Sequence, residues 1–498
     1  SGLIAPALLV PNSGAGPRAP VNPEGWKGDP SRLRQDMVSF TDHWRNRVPH
    51  GSVGIGANEA ELLSSIDLAG MRVSLVVGPA METRRGFGHV MDKSAEIPAL
   101  GLISLASMLA AYGARVTTRD FFMDATFTHA ERVAMSNRPR LRSGIAGKAD
   151  PELELLVTRW VEQVMADAPA VIGLSARTEV DALTFILFQR QLRRATRSVP
   201  VVVGGNWKIS GLTDKALGEF DFLVNGEGEV PLLLICSSSM QGWDPALIPG
   251  LCRREGPKGR LSRSVLSHSL DVLPPPSLDG MDLGLYNYDL FTGWRGMTIP
   301  YQFSKGCPFD CAYCNISVKR QYKLKSISLV VRDLERLQSD YGIEQFFFFN
   351  SAFNIERRYC EELIAAMIAT GRSWRWSDCC RPKMWGNDFF SRTRRAGCEW
   401  LTWGLDTASS RLDALYRHGP TRKIFADILH ASRQAGIRNA VNVIVGMPHE
   451  DDADINELLR FLKKHRNQIS YITVLRYVFI PHSDIGIRPE RYGLRITA

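Results

Sequence analysis

The sequence predicts an α/β protein, a doubly wound parallel sheet followed by a partial (β/α)6 barrel of the TIM type. Two runs of alternating strand-like and helix-like segments predict it, one starting at Met71 and the other at Met297. Between them lies a stretch of weak periodicity with a Pro-Pro-Pro run at 274–276, which suits neither pattern. Length points the same way, because 498 residues exceed one ordinary hydrophobic core.

Residues 1–67 are rich in Pro, Gly and polar residues, so an irregular arm is expected, with a short helix near Glu59–Leu68. The first alternation occupies 68–240. Its strands are expected at Met71–Gly78, Arg115–Phe121, Ala170–Ser175, Pro200–Gly204 and Asp221–Asn225. Its helices are expected at Pro98–Tyr112, stopped by Gly113, and at Glu152–Met165 and Val180–Thr196. Residues 241–296 form a connector. The second alternation spans 297–478, with strands near Thr298–Ser304, Gln345–Asn350, Arg375–Cys379, Trp400–Leu405, Ala440–Val445 and Ser470–Tyr477. Helices are expected between them at Ser328–Tyr341, Glu356–Thr370, Ile424–Ala435 and Asp454–His465. Residues 479–498 read as the start of a C-terminal extension.

Composition excludes several classes. An apolar share of 44% with 23% charged residues is globular. No run of eighteen apolar residues occurs, so no membrane span is expected. Ser1 to Pro20 lack a basic segment leading into an apolar core, so the expected location is cytoplasmic. The formal charge of +9 is spread over a long chain, with Arg scattered through 132–142, 190–197, 253–263 and 391–395 and no dense tract. That reads as a solvated basic surface, and nucleic acid is not the expected partner. The stretch holding Trp374, Trp376, Trp385, Trp400 and Trp403 reads first as core filling.

Nine cysteines is an odd number, and three of them, Cys307, Cys311 and Cys314, crowd into eight residues. A metal site in a reducing compartment explains that better than a disulfide framework. The trio follows the first strand of the second half and so sits at the mouth of the expected barrel, where active groups gather. Three closely spaced thiolates can wrap one corner of an iron–sulfur cube, each on a different iron, leaving the fourth iron open to a substrate. The alternatives are a three-thiolate zinc site with a distant fourth ligand, or unrelated thiols. Zinc knuckles usually pair two CxxC motifs, and no second pair stands here.

The segment Cys307-Pro-Phe-Asp-Cys311-Ala-Tyr-Cys314, with aromatic Tyr313 before the last Cys, resembles the signature of the radical S-adenosylmethionine (SAM) superfamily. Later segments fit that resemblance in order. Phe346–Asn354, containing Asn350 and Ser351, resembles the stretch after the second strand whose backbone receives the methionine amino group. Gly404-Leu-Asp406-Thr resembles the fourth-strand motif whose acidic residue binds ribose, although many relatives carry Glu there. Val443–Glu450, with Gly446, resembles the turn lying against adenine, and Arg381 is the candidate for the methionine carboxylate.

The first half resembles the cobalamin-binding domains fused to such enzymes. The segments that carry this are Pro98–Leu102, Gly173–Thr178 with Ser175, Val201–Asn206 with Gly204 and Gly205, and Gly226-Glu227-Gly228-Glu229. The resemblance implies that Leu102, Ser175, Thr178, Gly204, Gly205, Gly226, Glu227 and Gly228 face the cofactor, the glycines allowing close backbone approach. The DxHxxG motif that supplies a histidine to cobalt elsewhere does not occur. Arg84, Arg85, Phe87 and His89, after the first strand, are the nearest candidates for that face.

Both resemblances together imply a cobalamin-dependent radical SAM enzyme with a [4Fe-4S] cluster, SAM and methylcobalamin as cofactors. The implied reaction is C-methylation of an unactivated carbon in a small metabolite or modified peptide, fed by an electron donor such as flavodoxin or ferredoxin. Two other readings stand beside it: a radical cyclisation, ring contraction or rearrangement without methyl transfer, and a non-catalytic corrinoid and iron–sulfur binding protein. A methylthiotransferase acting on tRNA is disfavoured, because the first half lacks the extra cysteines of a second cluster.

Overall fold

The computed structural model describes residues 66–79, 97–176, 178–205, 218–242, 245, 248, 251, 254–255, 260–261, 269–286, 297–314, 322–416, 422–481 and 483–495. The first half runs β1 (Arg72–Val77), α1 (Leu100–Ala111), β2 (Arg115–Asp120), α2 (His129–Ala134), α3 (Arg138–Ile145) and α4 (Pro151–Met165). It continues through β3 (Val171–Ala176), α5 (Glu179–Ala195), β4 (Val201–Gly205), β5 (Phe222–Asn225) and α6 (Glu229–Gln241). The five strands are parallel in the order β2-β1-β3-β4-β5. This is a doubly wound sheet, in which ligands settle at the carboxyl ends of the strands.

Helices cover both faces because the strands are apolar on both sides. On one face Trp160 of α4 meets Phe188 and Phe185 of α5 at ring-centroid distances of 4.6 and 5.8 Å, and Phe121 at 6.0 Å. On the other, Leu102 and Leu109 of α1 and Leu232 and Leu233 of α6 pack with Val73, Leu75 and Val202. Truncating a buried ring such as Trp160 to Ala costs about 3–5 kcal/mol.

The second half runs β6 (Thr298–Tyr301), β7 (Ser304–Gly306), β8 (Tyr322–Leu324), α7 (Ile327–Tyr341), β9 (Gln345–Phe348), α8 (Arg357–Ala369), β10 (Arg375–Cys380) and α9 (Asn387–Arg395). Then follow β11 (Cys398–Asp406), α10 (Ser410–Tyr416), α11 (Arg422–Gln434), β12 (Arg438–Val445), α12 (Asp452–Lys464), β13 (Tyr471–Arg476) and α13 (Asp484–Ile487). Six strands form one parallel sheet in the order β13-β12-β11-β10-β9-β6, a partial barrel with β6 and β13 at its edges. Phe346, Phe348, Trp376 and Trp403 fill the layer beneath it. The tryptophans are core residues with satisfied N–H groups: Trp376 donates to the Ala396 carbonyl at 2.8 Å and Trp403 to Asn439 at 2.9 Å.

Two details depart from expectation. The strand expected over 298–304 is broken, because Phe303 and Ser304 turn their N–H groups to Asn350 Oδ1 at 3.2 and 2.9 Å. The chain then enters a hairpin, β7 against β8, pairing Ser304–Gly306 with Tyr322–Leu324. The helices α2, α3, α6, α9 and α10 were not foreseen. For α6 the reason is plain: its residues are buried almost all round, so it has no amphipathic signature.

The connector closes the edge of the first sheet. Thr118 of edge strand β2 donates its N–H to the Gly280 carbonyl at 3.0 Å. A side chain at Gly280 would put Cβ 2.0 Å from the Val116 carbonyl oxygen, at a φ of +74°, so only glycine fits this contact. The same segment reaches the second half, where Tyr341 of α7 donates to Asp279 at 3.0 Å.

Candidate functional site: a cysteine loop beside a glycine-lined cleft

The cysteine loop leaves β7 at the carboxyl end of the second sheet. Cys311 is buried, while Cys307 and Cys314 are half-buried, and none is in a disulfide. Neighbours on both sides pin the loop: Ala312 donates to the Tyr416 carbonyl at 2.9 Å and accepts from the Ile485 amide at 3.0 Å. Arg381, just past β10, donates from Nη1 to Cys311 Sγ at 3.2 Å and lies 4.0 Å from the Phe309 ring centroid. Lys383 Nζ lies 4.7 Å from the same ring. Burial pushes the Cys307 thiol up, while the Phe309 amide and the Arg381 and Lys383 charges oppose that shift. A bound metal replaces the proton and removes this cost.

Among the described residues, no three His, Cys, Asp or Glu side chains are gathered closely enough to hold a metal ion. Thiolates on a cube attach to three separate irons and need not converge on one point. Three thiols on a single pinned loop, with cations beside them, suit a cluster of that kind.

The other residues singled out in the second half also stand at strand ends. Asp406 closes β11 in the left-handed region at φ +55°, beside a register shift between Gly404 and Asp406. That bulge aims its carboxylate at Tyr313, whose hydroxyl donates to Asp406 Oδ2. Gly446 follows β12 at φ +77° and donates its N–H to the Glu450 carboxylate. Asn350 follows β9 as a buried pin: its Oδ1 accepts from Phe303, Ser304 N and Ser304 Oγ, and its Nδ2 donates to Asp378 at 2.6 Å. Burial holds the Asp378 carboxyl well above the usual carboxylate range. Ser351 is half-buried next to it. Asn354 braces Arg381 in both directions, accepting from its N–H at 2.8 Å and donating to its carbonyl at 2.7 Å.

In the first half, a cleft of about 290 Å³ opens at the carboxyl ends of β3, β4 and β5. Leu102, Ser175, Gly204, Gly205, Gly226, Glu227 and Gly228 are among the residues that line it. Thr178 is not among its lining residues. Its hydroxyl caps α5 by accepting from the Asp181 amide in a capping box, so its side chain is engaged within the helix start. Gly205 carries a second constraint. A Cβ on Gly205 would sit 1.8 Å from the Ala176 carbonyl oxygen at φ +137°, so strand pairing demands this glycine whatever the cleft holds. Arg84, Arg85, Phe87 and His89 lie outside the described residues, as does most of the helix expected near Glu59–Leu68.

The sequence reading names Glu227 but neither of the lysines that join the two halves through it and Glu229. Lys305 of β7 lines the front cleft and reaches Glu229 at 3.1 Å and Glu227 at 4.0 Å. Lys323 of β8 reaches Glu227 at 3.2 Å. Glu229 also accepts from Ser104 Oγ at 2.7 Å. A lysine two positions before the first cysteine was the available signal.

Comparison with known proteins now bears on this arrangement. Residues 301–462 match the model of the radical SAM superfamily. The chain carries a radical SAM domain. It is 24% identical over 303 residues to an uncharacterized methyltransferase of Pyrococcus horikoshii, covering 59% of this chain and 64% of that one. It is 24% identical over 360 residues to an anaerobic magnesium-protoporphyrin IX monomethyl ester cyclase of Synechocystis, covering 68% of each. To the hopanoid C-3 methylase of Methylococcus capsulatus it is 23% identical over 239 residues, covering 49% of this chain and 44% of that one. The chain thus spans less than two thirds of two of these three relatives.

The fold matches two solved structures that contain both halves. One is the radical SAM methyltransferase TsrM from Kitasatospora setae with cobalamin and a [4Fe-4S] cluster bound, at TM-score 0.60 and 18% identity, covering 86% of this chain and 79% of that one. The other is the cobalamin-dependent radical enzyme OxsB with aqua-cobalamin and SAM bound, at TM-score 0.61 and 15% identity, covering 93% of this chain and 61% of that one. At such identities they show a shared fold. Among the described residues no helix is long and apolar enough to cross a membrane.

Proposed function

We propose that this protein is a cobalamin-dependent radical SAM methyltransferase that places a methyl group on an unactivated carbon of a small metabolite or modified peptide. One observation carries the reading: the glycine-lined cleft of the first sheet and the cysteine loop of the radical SAM domain adjoin each other, with Lys305 belonging to both. When bound, the cluster, SAM and methylcobalamin supply one-electron cleavage of the sulfonium and a transferable methyl group.

The chain's own residues hold and orient these groups. Cys307, Cys311 and Cys314 would hold the iron–sulfur cluster. Arg381, braced by Asn354 and beside Cys311, would receive the methionine carboxylate of SAM. Asp406, held by Tyr313 at its bulge, would take the ribose hydroxyls, and the turn at Gly446 would support the adenine. Asn350 acts from below, since its side chain is engaged in fixing the start of β7. Leu102, Ser175, Gly204, Gly205, Gly226, Glu227 and Gly228 form the cobalamin cleft. A one-electron donor of the flavodoxin or ferredoxin kind would supply the reducing electron.

The test is to incubate reduced, cofactor-loaded protein with methyl-deuterated SAM and a metabolite extract. The expected result is a product carrying the labelled methyl group, formed together with 5′-deoxyadenosine. The similarity to a cyclase favours a second reading, radical cyclisation without methyl transfer. That reading predicts an unlabelled product formed with 5′-deoxyadenosine. Bound cofactor with no 5′-deoxyadenosine would identify a binding protein instead.

A further inference from the structure

The hairpin that delivers the cysteine loop carries an electrostatic conflict of its own. Its register sets Lys305 directly opposite Lys323. Like charges facing each other across two strands destabilise the pair. Relief comes from the other half of the molecule, through the alternating glycine and glutamate loop Gly226-Glu227-Gly228-Glu229. Glu229 takes Lys305 at 3.1 Å, and Glu227 takes Lys323 at 3.2 Å while standing 4.0 Å from Lys305. These pairs are largely withdrawn from water, with side-chain exposures of 24% and 7% for Lys305 and Glu229, so screening weakens them little. Glu229 is fixed in turn by Ser104 of α1 and stands in the first turn of α6.

This arrangement ties two places together. Lys305, Glu227 and Glu229 all line the front cleft. Lys305 also lies two residues before Cys307, so a shift of its backbone moves the first thiol with it. We infer that Lys305, through Glu229 and Glu227, is a positioning residue: it sets the cysteine loop at a fixed separation from the ligand in the front cleft. The functional half of this inference rests on the cobalamin reading above. The mechanical half, that the hairpin takes its final shape only when docked on the acidic loop, stands independently of it.

The experiment is hydrogen–deuterium exchange on the full chain with its cluster loaded, comparing Lys305→Met, Glu229→Gln and the double variant with the parent. Each single variant is expected to raise exchange about tenfold in both the 304–306/322–324 hairpin and the 226–229 loop, and the double variant no further. Lys305→Arg keeps the charge and is expected to stay within about threefold of the parent, which separates loss of the pair from general damage. Unchanged exchange in the single variants, or additive effects in the double variant, overturns the inference.

A second readout isolates positioning from folding. With hydroxocobalamin supplied and its binding followed by absorbance, Lys305→Met is expected to lower transferred methyl per 5′-deoxyadenosine by about tenfold or more. Coupling that stays at the parent's ratio removes the functional half. If the parent binds no hydroxocobalamin, the cobalamin reading fails while the exchange result still decides the mechanical half.

Discussion

Replacing any one of Cys307, Cys311 or Cys314 by Ala lowers 5′-deoxyadenosine formation by more than about a thousandfold, the largest effect expected of any substitution in this chain. On the proposed reading each thiolate would serve a different iron, so no partner within the loop could cover for a missing one. Nor do the other described cysteines offer a substitute. Cys360 is buried and donates to the Phe353 carbonyl at 2.9 Å, and Cys398 is buried with its thiol pushed up by desolvation. Chromatography of the deoxyadenosine formed after reduction, alongside iron analysis, checks this. Cys398→Ala is the control: it removes a core sulfur and is expected to retain iron at the parent level. Retained turnover in Cys311→Ala would remove the basis for assigning these residues.

Gly205→Ala gives the second largest effect, on the other half of the molecule. The new Cβ would stand 1.8 Å from the Ala176 oxygen and 2.8 Å from its carbon, and Ala176 is paired with Gly205 across β3 and β4. Backbone cannot yield as a side chain can, so the strands must part at the end where the cleft opens. A loss of about 3 kcal/mol in stability is expected from strain at this φ together with the clash. The dissociation constant for hydroxocobalamin should rise by about tenfold or more as the cleft distorts. Gly204→Ala sharpens the comparison: its Cβ meets Val224 at 3.9 Å, an ordinary contact. Its melting temperature should stay close to the parent's, and differential scanning calorimetry of both variants measures the contrast.

Much of the fold was legible because parallel, doubly covered strands announce themselves as short apolar runs. Every expected strand is present within a few residues, apart from 298–304. That stretch failed for a reason no local pattern carries: Asn350, far along the chain, draws away the N–H groups of Phe303 and Ser304. The helix α6 failed because burial all round leaves no polar face to set its period. The engagement of Thr178 at the start of α5 is legible in principle, since Thr178 and Asp181 carry a capping-box spacing. At Gly205 the structure adds a constraint that the sequence does not display, the close approach of the Ala176 carbonyl on the neighbouring strand.

For the site, the cysteine spacing is a local message and could be read directly. The bridge between Lys305 and Glu229 is not, because residues 76 apart meet only through the docking of two sheets. The left-handed turn at Asp406 was likewise hidden, since backbone conformation at a bulge leaves little trace in a non-glycine residue.

The most direct test of the account is metal analysis with absorbance on anaerobically reconstituted protein, incubated with hydroxocobalamin and freed of excess. Iron at about four and cobalt at about one per chain is the result predicted. Zinc in place of iron, or iron with no retained cobalt, would contradict it.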